Sequence, residues 1–176
     1  MWFMVDVEAH LNSPCPNFPS SSFGMTEFAA VAITKPPYDC FWGRILPRNP
    51  TKQKPIAKDI LLHLSEGDMA FVMNDFVDWL QSKSFLHSFM SDNPAYDWQW
   101  INYELWKNVG NNPFGHSATN LGSLYKGFVG KMNKNFKHLR KTKHTHNPVD
   151  DCIGNIEALF SMVNDGLVIN LEKGII

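Results

Sequence analysis

Between residues 105 and 149 the chain has no aspartate or glutamate at all. The same stretch carries Lys107, Lys126, Lys131, Lys134, Lys137, Arg140, Lys141 and Lys143, half of the chain's 16 lysines and arginines. The remainder holds all 17 acidic residues, so a net charge of −1 conceals an acidic body and one basic segment. Such an asymmetry suits a polyanionic partner contacted on one side, while a solvated lysine-rich loop is the plainer reading. Cysteine is also scarce. Cys15, Cys40 and Cys152 are odd in number and lack CxxC spacing, which excludes a disulfide framework and reads as a reduced, cytoplasmic chain. No apolar run approaches the ~20 residues of a membrane helix, so no membrane partner is expected. Asp6 and Glu8 interrupt the first apolar run and no basic residues precede it, which argues against a signal peptide.

What is present fits one domain over residues 1–176 with a sizeable core. The short apolar run 2–7 reads as a buried strand, and 11–24, rich in Pro, Ser and Asn, as a loop. Residues 26–34 (TEFAAVAIT) and 39–46 (DCFWGRIL), split by Pro36 and Pro37, complete an antiparallel three-strand meander. Residues 48–55 read as a surface excursion. Met69, Phe71, Val72, Phe76, Trp79 and Leu80 recur at helical spacing over 67–83. A strand over 85–90, helices over 96–109 and 121–128, the basic loop and a last helix over 149–163 follow. The expectation is an α/β plan, a mixed sheet flanked by helices.

Three acidic pieces carry the chemistry. Asp6 and Glu8 lie two apart on a strand, so their side chains share one face. Two like charges on an apolar strand are costly unless a cation neutralises them, and hard oxygen donors suit magnesium or manganese. Asp97 falls in the first turn of the 96–109 helix, where a carboxylate is also a plain helix-start residue. His146 precedes Asp151 by five residues at the start of the final helix. Asp150 points about 100° away from Asp151 around that helix and reads as a cap or supporting residue.

Together, Asp6-Val7-Glu8 followed by Thr26-Glu27-Phe28-Ala29-Ala30-Val31, Asn93-x-x-x-Asp97 and His146-x-x-x-x-Asp151 resemble, in order and distance, the three motifs of the DEDDh (DnaQ-like) 3′→5′ exonuclease superfamily. Asn93-Pro-Ala-Tyr-Asp-Trp-Gln-Trp and His116-Ser-Ala-Thr-Asn-Leu-Gly-Ser-Leu-Tyr-Lys-Gly resemble its ribonuclease T-like exoribonuclease group. The resemblance implies a ribonuclease H-like fold and phosphodiester hydrolysis that releases nucleoside 5′-monophosphates. It implies that Asp6, Glu8, Asp97 and Asp151 hold two Mg2+ or Mn2+ ions, with Asp6 bridging, and that His146 is the general base. Single-stranded nucleic acid, RNA ahead of DNA, is the implied partner, and homodimers occur among ribonuclease T-like relatives. Because Lys131, Lys134, Lys137, Arg140, Lys141 and Lys143 run into His146, they are expected to bind the strand near the site. Phe23, Phe114 or Phe136 are candidates for base stacking, against the commoner core role. The rival readings are a catalytically inactive nucleic-acid-binding module, a structural protein whose acids are caps, and a zinc site from His138, His144, His146 and Cys152, whose spacing matches no familiar zinc pattern.

Overall fold

The computed structural model describes residues 1–10, 24–46, 48, 50–51 and 53–171. The expected 11–24 loop, Cys15 and Phe23 therefore lie outside the described residues, Gly24 excepted. Strand β1 (Trp2–His10) alternates cleanly: Phe3, Val5 and Val7 face one helical layer, while Met4 and the two acids face the other. It pairs antiparallel with β2 (Gly24–Ala32), which pairs antiparallel with β3 (Tyr38–Ile45), as the meander required. Every residue of β2 is buried, because helices cover both of its faces.

Two strands were not read from the sequence. β4 (Ile60–Gly67) pairs parallel with β3 at the sheet edge, and β6 (Ala118–Asn120) pairs parallel with β5 (Ser88–Ser91). The strand expected over 85–90 starts later, since Phe85 and Leu86 are exposed in the turn before it. The order is β4-β3-β2-β1-β5-β6, with β5 parallel to β1.

Four helices flank this mixed sheet. α1 (Met69–Lys83), capped by Asp68, and α2 (Pro94–Asn108) pack on the Phe3 face. α3 (Leu121–Val129) and α4 (Pro148–Asn164) pack on the Met4 face, with one 3₁₀ turn at Lys137–Leu139 between them. α4 lies against β1, β2 and β3 and is buried along most of its length. Phe114 and Phe136 are both core residues, not exposed stacking platforms. Cys40 and Cys152 are buried and unbridged. Among the described residues no helix is long and apolar enough to cross a membrane.

Candidate active site

Strand alternation sends Asp6 and Glu8 toward α4, and Asp151 in the first turn of that helix meets them from above. Ligand oxygens of Asp6, Glu8 and Asp151 all lie within 4.8 Å of one another. Asp97 approaches from α2 on the other side of the sheet. Its Oδ1 accepts the Val7 N–H at 3.2 Å, which fixes the carboxylate beside β1. Asp97 and Asp151 both sit where a helix start favours negative charge.

This crowding is felt in the acids' proton affinities. Burial holds the Asp6 carboxyl well above the usual carboxylate range, and the charges of Asp97, Asp151, Glu8 and Asp92 push it the same way. Burial raises Glu8 to about 7, assisted by Asp151 and Glu27 and opposed by His144. Burial, with the Asp92 charge adding to it, raises Asp97 to about 8. Each shift opposes ionisation, so the site disfavours its own negative charge unless a cation joins it.

Two oxygens show how a cation fits. Asp97 Oδ2 and Asp151 Oδ2 are buried and lack any hydrogen-bond partner, while Oδ1 of each is held by donors. Buried acceptors left free beside two further carboxylates form an all-oxygen donor set suited to a hard divalent ion. The zinc reading gains nothing from the geometry. Cys152 is buried between α4 and the sheet, its thiol donating to the Met4 carbonyl at 3.3 Å, and His138 packs on the Tyr125 ring.

Two histidines stand at the mouth. His146, with a left-handed backbone (φ 59°), is 76% exposed and places Nδ1 3.7 Å from Glu8 Oε1. His144, which the sequence reading placed only in the zinc set, places Nδ1 2.7 Å from Asp151 Oδ1, and the two rings meet edge to face at 4.3 Å. The histidine loop is tied down on α4 at both ends. Glu157 accepts the Lys141 and Thr142 N–H groups and the Thr142 hydroxyl, and Asp150 accepts the Thr145 hydroxyl. Asp150 also accepts the Ile56 and Ala57 N–H groups, each at 2.9 Å, so it is a supporting residue that pins the 53–57 segment across the helix start. Asn147 caps α4 and donates to the Gln53 carbonyl from the same end.

The basic segment divides. Lys131, Lys134, Lys137, Lys141 and Lys143 are exposed. Lys131 and Lys134 line a cleft of roughly 590 Å³, and Lys141 and Lys143, joined by Lys58, line another of roughly 760 Å³. Arg140 departs from this pattern. Its side chain is only 6% exposed and turns inward to Asp92 and Asp151, so it is not an open phosphate contact. Glu27, opposite Glu8 on β2, was also missed as a participant. It is buried and accepts from Trp42 Nε1 and the Thr51 N–H.

No protein-family model matches the chain. A curated relative, the 3'-5' DNA exonuclease Cap18 of Escherichia coli, is 30% identical over 99 residues, covering 44% of this chain. That match spans 53% of the relative, about half its length. Among solved structures, the nuclease domain of 3'hExo, a DEDDh family member bound to rAMP, superposes with a TM-score of 0.61 at 14% identity. The superposition covers 94% of this chain and 92% of that one. The fold is that of a DEDDh nuclease domain. Its ribonuclease H-like sheet is the mixed sheet described above, so the fold that the sequence's resemblance implies is borne out.

Proposed function

We propose that this chain is a divalent-metal-dependent 3′→5′ exonuclease acting on single-stranded nucleic acid, with residues 1–176 forming one exonuclease domain. The observation that carries this is the convergence of Asp6, Glu8 and Asp151, with buried oxygens of Asp97 and Asp151 left without partners. Asp6, Glu8, Asp97 and Asp151 would hold two ions, Mg2+ or Mn2+. When bound, such ions acidify the attacking water and neutralise charge at the departing 3′ oxygen.

The remaining work belongs to the chain's own side chains. His146 takes the proton of the attacking water as general base, from a loop position reachable by solvent. Glu8 and Asp151 flank that histidine and its neighbour His144, keeping both rings turned to the site. Phosphates of the incoming strand are drawn by Lys131, Lys134, Lys137, Lys141 and Lys143, which makes activity salt-sensitive. The motifs that resemble the ribonuclease T-like group favour RNA, whereas the curated relative bears the name of a DNA exonuclease. An inactive nucleic-acid-binding module would need no such convergence of Asp6, Glu8 and Asp151.

The test is an end-labelled single strand, as matched RNA and DNA, incubated with Mg2+ and either wild type or Asp6→Ala. Stepwise shortening from the 3′ end with nucleoside 5′-monophosphate products is expected from wild type alone. Internal cuts, or equal activity in the variant, would sink the proposal. The faster of the two matched strands identifies the sugar.

A further inference from the structure

Arg140 is the one basic residue of the 131–143 segment whose charge is buried. Its Nη2 lies 3.5 Å from Asp92 Oδ2 and also donates to Asn155 Oδ1, and its Nη1 lies 3.9 Å from Asp151 Oδ1. The guanidinium carbon sits over the Phe136 ring, 5.5 Å from its centre. Room for the stem comes from Gly154 on α4, where an added Cβ would stand 3.2 Å from Arg140 Cδ and 2.8 Å from the Thr142 carbonyl oxygen. A glycine inside a helix costs about 1 kcal/mol relative to alanine, and here it opens the slot through which Arg140 enters.

The consequence falls on Asp151. Its Oδ1 faces Arg140, His144 and the Thr145 N–H, while Oδ2 has no partner. Asp92, held by the other arm, lies between β5 and α2, five residues before Asp97. One guanidinium, hydrogen-bonded to Asn155, therefore stands at ion-pair distance from both Asp92, on the approach to Asp97, and Asp151 on α4. We infer that Arg140 is a positioning residue: it fixes Asp151 so that Oδ2 is the oxygen offered to a metal ion, and holds the Asp97 and Asp151 elements in register. This rests on the proposed function for its purpose, though not for its test.

The experiment measures Mn2+ binding to the metal-free protein by electron paramagnetic resonance, and steady-state hydrolysis of a short single strand. It compares wild type, Arg140→Met and Arg140→Lys. Methionine keeps an apolar stem in the Gly154 slot and removes the fork, while lysine keeps the charge. Arg140→Met is expected to bind Mn2+ roughly tenfold more weakly, with kcat lowered at least as far, since residues that orient a metal ligand are worth about 10–100-fold. KM for the strand and the slope of its salt dependence should stay at the wild-type values. Arg140→Lys should recover thermal stability without recovering Mn2+ affinity, because a single ammonium cannot reproduce the fork.

Tighter Mn2+ binding in Arg140→Met would overturn the inference, leaving the guanidinium as a competing charge. Unchanged Mn2+ affinity with a raised KM and a shallower salt slope would overturn it too, showing a direct contact to the strand. Should Arg140→Met fail to fold by circular dichroism, a folded Arg140→Lys with wild-type Mn2+ affinity would be equally fatal. Because Mn2+ binding is read without substrate, a wild type that binds metal yet hydrolyses nothing would refute the exonuclease and leave the role of Arg140 standing.

Discussion

Replacing Glu8 by glutamine should make the metal-free protein more stable, and only at neutral to alkaline pH. Glu8 is raised from 4.5 to about 7 by burial and by the neighbouring acids. A group whose folded pKa lies above its unfolded one favours the folded state below 4.5 and loses that contribution as pH rises through 7. Above pH 7 the ionised Glu8 thus opposes folding, by on the order of 1–3 kcal/mol once solvent screening of a partly exposed carboxylate is counted. Glutamine fills the same space without the charge. For a chain of this size 1 kcal/mol corresponds to about 2–4 °C, so the variant should melt about 2–12 °C higher at pH 8. At pH 4, where Glu8 is mostly protonated in both states, the difference should nearly vanish. Differential scanning calorimetry at the two pH values, each with EDTA and with Mg2+, makes the comparison. Wild type should gain stability from Mg2+ at pH 8 by mass action, and the variant should lose most of that gain. A variant that melts below wild type at pH 8 in EDTA, or a difference independent of pH, would show that the cluster is not an electrostatic liability awaiting a cation.

Gly154→Ala, which would stabilise an ordinary helix, should destabilise this one by about 1–3 kcal/mol in urea unfolding, because its Cβ meets the Thr142 carbonyl at 2.8 Å. A gain in stability would mean that the histidine loop yields freely. Asp150→Ala removes the acceptor for Ile56 N–H, Ala57 N–H and the Thr145 hydroxyl. It should cost about 3 kcal/mol and speed hydrogen exchange at the Ile56 and Ala57 amides, and unchanged exchange there would count against the pinning role. The double variant Lys141→Ala/Lys143→Ala should raise KM and flatten the salt dependence of strand binding by roughly 1.4 in log–log slope. An unaltered slope would place the strand elsewhere.

What was legible in the sequence follows from the range of the forces involved. The alternation of Phe3, Val5 and Val7 with Asp6 and Glu8 is a local signal, and it sent the two acids to the correct face. Asp97 and Asp151 were singled out by their resemblance to family motifs, and local signals correctly placed each in the first turn of a helix. β4 escaped because an edge strand lacks a continuous buried face: Leu61, Leu62 and Leu64 remain exposed, so no strict alternation marks it. Arg140 was read as an open phosphate contact because a run of basic residues gives no sign of which one turns inward. That choice depends on the gap at Gly154 and on Asp92, which only packing brings together. His144 was passed over for the same reason, its partner Asp151 lying across a loop that must first be tied to α4.

The distribution of the four carboxylates also bears on how such a protein is made. Asp6 and Glu8 are synthesised first, Asp97 midway, and Asp151 only with the helix that covers three strands of the sheet. A growing chain that has not yet released α4 from the ribosome lacks both Asp151 and the cover for that face of its sheet. Its acids cannot gather around an ion, so the proposed metal site is completed only when α4 has docked on the sheet.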